Sequence, residues 1–127
     1  MENGTVWEGA LADYWFDEEG ILHGLSKEGP RTAETLKKNF ELLRQITGGK
    51  KVCAIIDNTN TTAYDIEAFK VLFNGCKEVY KAVAFVSRSS IGKMVGDISE
   101  QLNPPGSVPI RLFDNTEDAR QWILKFS

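Results

Sequence analysis

The chain has 127 residues, 42% of them hydrophobic and 26% charged, and its formal net charge is -3. This length and composition indicate one folded domain over residues 1–127 and exclude a disordered chain. The mild acidity, without a clustered basic face, argues against nucleic acid as a partner. No apolar run approaches the roughly 18 residues of a membrane span, so no membrane insertion is expected.

The first residues and the cysteines indicate the compartment. The opening MENGTVWEG lacks the basic stretch and apolar core of a signal peptide. Cys53 lies in an apolar run and Cys76 near a predicted helix end, without the CxxC spacing of metal or redox sites. We therefore predict two buried, reduced thiols in a cytoplasmic protein, with no metal and no cofactor.

The first elements in chain order form a β-hairpin. An aromatic-rich strand over residues 11–16 is followed by a turn at Glu19–Gly20 and a returning strand over residues 21–25. Gly29–Pro30 then breaks the chain.

An amphipathic helix follows the hairpin. Its apolar residues are spaced by 3, 4, 3 and 4, which predicts one buried face: Ala33, Leu36, Phe40, Leu43 and Thr47. Thr32 is expected to cap the start of this helix, and Gly48–Gly49 to end it.

The rest of the chain alternates between strands and helices. Residues 52–56 (VCAII) and 81–86 (KAVAFV) are continuous apolar runs, typical of strands buried on both faces. Pro109 places a strand over residues 108–112 at a sheet edge, and a helix over residues 119–126 follows. Helical spacing also follows the two buried strands, at Ile66, Phe69 and Phe73 after the first and at Ile91, Met94, Val95, Ile98 and Leu102 after the second.

The order ββαβαβαβα predicts an α/β fold with a mixed, mostly parallel five-stranded sheet and four helices. The hairpin contributes one antiparallel strand. Because two strands are apolar on both faces, each face of the sheet needs cover. If most helices lie on one face, the hairpin, a helix or a second subunit must cover the other. A homodimer is therefore one expectation.

The polar stretch DNTNTTAYD follows the first buried strand, at the sheet edge where α/β proteins carry function. Thr62 and Asp65 fit a capping box, which predicts that the second helix starts there. The alternative is a switch or partner loop formed by Asp57, Thr59, Thr61 and Thr62. A phosphate on an exposed hydroxyl at a helix start would meet free N–H groups there. Two carboxylates are too few for a metal site.

A second polar loop, SRSSIGK, follows the second buried strand. Arg88, Ser89 and Ser90 are candidates for an anion-binding helix start, with Ser90 as a plain helix cap as the alternative. The loop does not match a phosphate-binding Walker loop. Gly92 and Gly96 are four residues apart, which favours close packing of the third helix on the sheet.

Nucleophilic catalysis has little support in the sequence. His23 is the only histidine and lies in the hairpin, and no serine has a GxSxG-like setting. A pairing of His23 with Cys53 is left open, although a cysteine inside a buried strand is usually inert. We therefore expect no enzymatic activity and no catalytic residues.

Four segments together resemble a family of small bacterial STAS-like proteins: YWFDEEGILHGL, VCAIIDNT, KAVAFVSRSSIGKMVGD and PIRLFDNTEDARQWI. These proteins are similar in fold to the anti-anti-sigma factors of sporulation and stress signalling, the SpoIIAA-like proteins. The resemblance covers nearly the whole chain and is most specific in SIGKMVGD and RLFDNTEDARQWI. It implies a single STAS-like domain; because the family is largely uncharacterised, it implies fold better than activity.

The resemblance also bears on the switch hypothesis. Anti-anti-sigma factors carry an Asp-Ser-Ser-Gly motif at a helix start, where a partner kinase phosphorylates a serine. Thr61-Thr62-Ala63-Tyr64 stands in that region here, without the Asp-Ser pair and the glycine.

A second branch of related folds binds lipids or other apolar molecules beside the sheet. Four aromatic residues are candidates for such an apolar cleft, and core packing is the alternative explanation of their spacing: Phe69, Phe73, Phe85 and Trp122.

Two alternative functions are therefore considered. The first is a non-enzymatic regulatory or protein-interaction module with a protein partner. The alternative is a carrier or sensor of a small, lipid-like apolar ligand. A partner module should expose the loop from Asp57 to Thr62, whereas a carrier should contain an apolar pocket on the order of several hundred Å³.

Overall fold

A computed structural model describes residues 4–127, and residues 1–3 of the predicted single domain lie outside the described residues. The elements in chain order are β1 (Trp7–Glu8), β2 (Ala12–Phe16), β3 (Leu22–Ser26), β4 (Pro30–Arg31), α1 (Ala33–Thr47), β5 (Val52–Asp57), β6 (Ala63–Tyr64), α2 (Ala68–Val79), β7 (Tyr80–Val86), α3 (Ser90–Leu102), β8 (Ile110–Phe113), α4 (Thr116–Ile123) and a final 3₁₀ turn (Leu124–Phe126). No helix among these residues is long and apolar enough to cross a bilayer.

One mixed sheet has the strand order β1-β2-β3-β5-β7-β8. β1 and β3 each pair antiparallel with β2, and the remaining neighbours pair parallel. The predicted α/β fold with a mostly parallel sheet and four helices is thus confirmed over the described residues, with β8 at an edge. The sheet has six strands instead of five, because Trp7 pairs with Tyr14 to add β1. A strand of two residues is too short to show a periodic pattern.

The two central strands bury both of their faces, as the continuous apolar runs predicted. In β5, Ala54 faces one core, while Cys53 and Ile55 face the other. In β7, Val83 and Ala84 divide in the same way. The alternation of side chains along a strand produces this division.

Helices cover both faces of the sheet. The first core holds Leu36 and Phe40 of α1, Leu72 of α2 and Val95 of α3. The second core receives Ala119 and Ile123 of α4, with other apolar residues packed around them: Phe113, Trp122 and Phe126. Because the chain covers its own second face, two-sided burial no longer argues for a second subunit, and the homodimer stays a prediction without that support.

The start and end of α1 agree with the sequence. Thr32 Oγ1 accepts from the N–H of Thr35 at 3.1 Å, and Thr35 Oγ1 accepts from the N–H of Thr32 at 2.9 Å. Gly48 ends the helix in the left-handed conformation, with φ of 63°. Leu36, Phe40 and Leu43 form its buried face as predicted.

The predicted starts of the next two helices are wrong. Thr62 and Asp65 form no capping box, because residues 63–64 instead form β6, which pairs with β4. The N–H of Asp65 donates to the Arg31 carbonyl at 2.9 Å, and α2 begins only at Ala68, without a side-chain cap. In α3 the cap is Ser89 instead of Ser90.

The carboxylate of Asp17 joins the hairpin turn to α4. Its Oδ1 accepts from the N–H groups of Glu19 and Ile21, at 2.8 and 3.0 Å. Its Oδ2 lies 2.9 Å from both His23 Nε2 and Arg120 Nη1, and Arg120 also pairs with Glu19. Burial alone would raise the pKa of Asp17, but the hydrogen bonds, that from His23 first, hold the pKa below its usual value.

Two glycines let α3 approach its neighbours closely. A Cβ atom built at Gly96 would lie 2.6 Å from Leu112 Cδ1, the end of a flexible side chain. A Cβ atom at Gly92 would lie 2.7 Å from the backbone oxygen of Asn58 and would collide with Ser87 Oγ. The close packing on the sheet predicted for Gly96 is therefore confirmed, since Leu112 belongs to β8. At Gly92 the close neighbour is instead backbone in the loop after β5.

We expect Asp17→Asn to lower the free energy of unfolding by about 1–3 kcal/mol at pH 7, because hydrogen bonds to a charged acceptor become neutral ones. The folded-state pKa of Asp17 is depressed, so this contribution is complete above the ordinary value near 4 and is lost as the pH falls through the folded value. Urea unfolding at stepwise lower pH should therefore show that the difference in free energy of unfolding between Asp17→Asn and the wild type becomes smaller. The control is Asp65→Asn, at an exposed carboxylate, with an effect within about 0.5 kcal/mol. A gap that grows on acidification would contradict this account.

We expect Gly92→Ala to lower the free energy of unfolding by about 1–3 kcal/mol, because the added methyl overpacks against backbone. Gly96→Ala is the matched control in the same helix. Leu112 can move there, and alanine favours helix by up to about 1 kcal/mol, so its net effect should be small. Urea unfolding of both variants measures the difference. Equal stabilities of the two variants would show that the loop yields at Gly92.

Candidate functional site

The carboxyl ends of the parallel strands bring the polar loops to one edge of the sheet. β5 ends at Asp57 and β7 at Val86, and these residues lie opposite each other in the register. The loops that follow are residues 57–62 and 87–89, called here the carboxyl-edge loops. Open α/β sheets carry their function at this edge.

Hydrogen bonds hold the carboxyl-edge loops to each other and to β3. Asp57 Oδ1 accepts from the N–H of Thr59 at 2.9 Å, and Thr59 Oγ1 accepts from the N–H of Arg88 at 3.1 Å. Asn60 donates to Ser26 twice, from its N–H to Oγ at 3.0 Å and from Nδ2 to the carbonyl at 2.9 Å. Many polar groups of these loops therefore form hydrogen bonds that stabilise the loop conformation.

The candidate switch residues differ in exposure. Thr62 is exposed, and its Oγ1 accepts from the N–H of Gly29 at 3.2 Å. Asp57 and Thr59 are half-buried, whereas Thr61 is only 4% exposed. A kinase needs an accessible hydroxyl, so Thr62 and then Thr59 are the positions at which the switch hypothesis can be tested. Both precede β6 instead of starting a helix.

One N–H group at the candidate anion-binding helix start is already hydrogen-bonded within the protein. Ser89 Oγ accepts from the N–H of Gly92 at 3.0 Å, so this hydroxyl serves as the N-cap of α3. Arg88 and Ser90 are exposed beside it. Anion binding at this helix start stays a prediction.

The four aromatic residues predicted for an apolar cleft do not come together. Phe69 and Phe85 are buried in the first core, and Phe73 packs against that core. Trp122 lies on the opposite face of the sheet, where its ring centroid is 5.7 Å from that of Phe113. The sheet therefore separates Trp122 from the other three. Their helical and strand spacing reflects core packing on both faces.

The residues considered for nucleophilic chemistry are all engaged or buried. His23 is bound to Asp17, and its ring stacks on Trp15 with centroids 5.5 Å apart. Burial raises the pKa of the Cys53 thiol and raises that of Cys76 to about 12, so both remain thiols at neutral pH. Over residues 4–127 no group of three metal-ligating side chains converges.

A cavity of about 70 Å³ lies between the sheet and helices α1 and α2. Apolar side chains such as Phe40, Leu72 and Phe85 form much of its wall. Polar side chains of several elements also line it: Tyr14, Ser26, Arg31, Asn39, Asn58, Thr61, Tyr64 and Tyr80. The members of this set come from distant positions in the sequence and share no motif, so no sequence pattern predicts that they line one cavity.

The tyrosine hydroxyls at the cavity remain protonated at neutral pH. Burial raises the pKa of Tyr14 to about 12, against the opposing effect of the hydrogen bond with Asn39, whose Nδ2 lies 2.6 Å from the hydroxyl. Burial also raises the pKa values of Tyr64 and Tyr80. Each hydroxyl can therefore donate a hydrogen bond.

Arg31 is a buried cation at this cavity, with 5% of its surface exposed. Its Nη1 donates to the carbonyls of Lys27 and Gly29 at 2.9 and 2.8 Å, and its Nη2 to the carbonyl of Leu11 at 2.7 Å. All three acceptors are neutral, and Arg31 forms no ion pair with a carboxylate of the described residues. Burial accordingly lowers the pKa of its guanidinium.

The comparison with solved structures gives the fold. The chain is similar to an uncharacterised protein of the DUF3478 family from Shewanella loihica PV-4, which has a SpoIIAA-like fold. The two are 18% identical, with a TM-score of 0.61, over 97% of this chain and 98% of the other. At this identity the similarity shows the fold alone, and it confirms the SpoIIAA-like fold that the sequence segments implied.

The comparison with protein families gives the membership. No curated protein matches the chain. A family model described as "Domain of unknown function (DUF7793)" matches residues 14–127, from the second strand of the sheet to the last residue. The chain therefore belongs to the DUF7793 family, whose function is uncharacterised.

Proposed function

We propose that the chain is a non-enzymatic regulatory module that binds a protein partner, as the SpoIIAA-like fold suggests for a STAS-like domain. The proposed partner surface consists of the outer face of α3 and the adjoining carboxyl-edge loops. The free thiols of Cys53 and Cys76 support a cytoplasmic location, because thiols stay reduced in that compartment.

The outer face of α3 is the observation that carries this proposal. Of the five apolar residues that mark this helix, only Val95 is buried. Ile91, Met94 and Leu102 are 40%, 56% and 54% exposed, and Ile98 is half-buried between them. Their spacing places them along one side of the helix. A run of exposed apolar side chains along one helix is typical of an interaction surface.

The carboxyl-edge loops extend this apolar stripe with a polar rim. Gly92, one residue after Ile91, packs against the backbone oxygen of Asn58, so the stripe begins next to residues 57–62. Arg88, Asn60 and Thr62 are exposed in these loops. An apolar centre with a polar rim is the usual anatomy of a protein interface. Because hydrogen bonds already fix the loops, little ordering would oppose binding.

The alternative function, a carrier of a lipid-like ligand, has less support. Pockets for such ligands measure several hundred Å³. Phe85 is the predicted cleft residue that lines the cavity beneath α1 and α2, and that cavity measures about 70 Å³. This volume favours a partner module over a lipid carrier.

We expect Met94→Glu to reduce partner recovery at least tenfold when the tagged chain is purified from its own host, because a charge then has to be desolvated in the centre of the interface. The matched control is Val6→Glu, at an apolar residue that is 52% exposed in the segment before β1. This control should retain the partner. Urea unfolding should give both variants a stability close to that of the wild type. Equal recovery with Met94→Glu would contradict the proposed surface, and recovery of no protein by the wild type would contradict the proposed function.

A further inference from the structure

The side chain of Asn58 stands out among the buried polar groups. The residue is 5% exposed and lines the cavity beneath α1 and α2. Its N–H donates to the Val86 carbonyl at 3.0 Å, and its carbonyl accepts from the N–H of Thr61 at 3.1 Å. The side-chain Oδ1 and Nδ2 are both fully buried, and neither has a hydrogen-bond partner among residues 4–127. A buried amide normally has partners, so this one needs an explanation.

Arg31 provides an independent observation at the same cavity. Three of its N–H groups donate to neutral carbonyls, which leaves two of the five guanidinium donors unused. Its charge is buried, and no carboxylate among residues 4–127 forms an ion pair with it. Buried charges are normally paired, and here the counter-charge is missing from the described residues.

The size and the walls of the cavity limit what can occupy it. Its volume of about 70 Å³ is several times the roughly 10–15 Å³ that one water needs in this measure. There is therefore room for a small organic molecule but none for a lipid chain. Leu36, Phe40, Leu72 and Val95 would surround an apolar part, while Asn58 and Arg31 lie among the polar lining residues.

We propose that this cavity binds a small monocarboxylate with a short aliphatic tail. The carboxylate would accept hydrogen bonds from Asn58 Nδ2 and from the unused donors of Arg31, and it would supply the missing counter-charge. The protonated hydroxyls of Tyr64 and Tyr80 add further donors. The tail would contact the apolar side chains of the cavity wall. Neutral molecules of the same size would leave the charge of Arg31 unpaired, so the cavity selects for an anion.

Titration of the full ¹⁵N-labelled chain with sodium butyrate tests this proposal. We expect saturable shifts at Asn58, Arg31 and Tyr64, with a dissociation constant in the micromolar to millimolar range usual for such small ligands. Sodium acetate should bind more weakly because it fills less of the apolar wall. 1-Butanol should bind at least tenfold more weakly than butyrate because it lacks the charge.

Variants separate this site from nonspecific binding. Asn58→Leu keeps the approximate shape of the side chain but removes the amide, and should weaken butyrate binding at least tenfold. Asn58→Asp adds a carboxylate to the wall of the cavity, where its charge would repel the ligand, and should likewise weaken butyrate binding at least tenfold. Asn74→Leu alters an exposed amide on α2 and should leave the affinity unchanged. Thermal unfolding in the absence of butyrate shows that each variant is folded.

Two results would overturn the proposal. One is the absence of saturable shifts at the cavity residues with butyrate and acetate, which would mean that water alone fills the cavity. The other is equal affinity of the wild type and a folded Asn58→Leu variant. Neither result bears on the partner surface of α3, because that surface is tested by Met94→Glu in a separate assay.

Discussion

Burial of β5 and β7 on both faces is the constraint on which the rest of the structure depends. A strand that is apolar on both sides can be stable only in the middle of a sheet with cover above and below. The chain supplies this cover with α1, α2 and α3 on one face and α4 on the other. The parallel pairing of these two strands also brings their carboxyl ends to one edge. The carboxyl-edge loops lie together because of that arrangement, and the cavity lies between the sheet and two of the helices that cover its first face.

Much of the fold could be predicted from the sequence, because its signals are local and periodic. The continuous runs of β5 and β7, the spacing along α1 and the cap at Thr32 each depend on neighbouring residues. The capping box predicted at Thr62 is also a local pattern, but it does not form. The backbone after Thr62 instead pairs with β4, about thirty residues earlier in the chain. The long-range pairing of β4 with β6 therefore prevails over the local capping pattern, and residues 62–65 alone do not indicate that pairing.

The candidate site was harder to predict than the fold. The sequence indicated the edge at which the polar loops gather, since that follows from the strand order. It did not show which polar side chains already form hydrogen bonds that stabilise the loops. Asp57, Thr59 and Ser89 are polar residues of the carboxyl-edge loops. A side-chain oxygen of each accepts a backbone hydrogen bond that shapes a loop or caps α3. Conversely, Arg31 and Asn58 have ordinary sequence surroundings, and both are buried. Among residues 4–127, Arg31 has no carboxylate partner and the Asn58 side chain has no hydrogen-bond partner, which only the structure shows.

We propose above all that α3 and the carboxyl-edge loops bind another protein. Native mass spectrometry of the chain purified from its own host, combined with lysine cross-linking, tests it most directly. Lys93 is exposed on α3 and serves as the reporter. We expect a mass equal to the chain plus a protein partner, with cross-links from Lys93 to that partner. A chain that carries a lipid-sized ligand and no protein would contradict it.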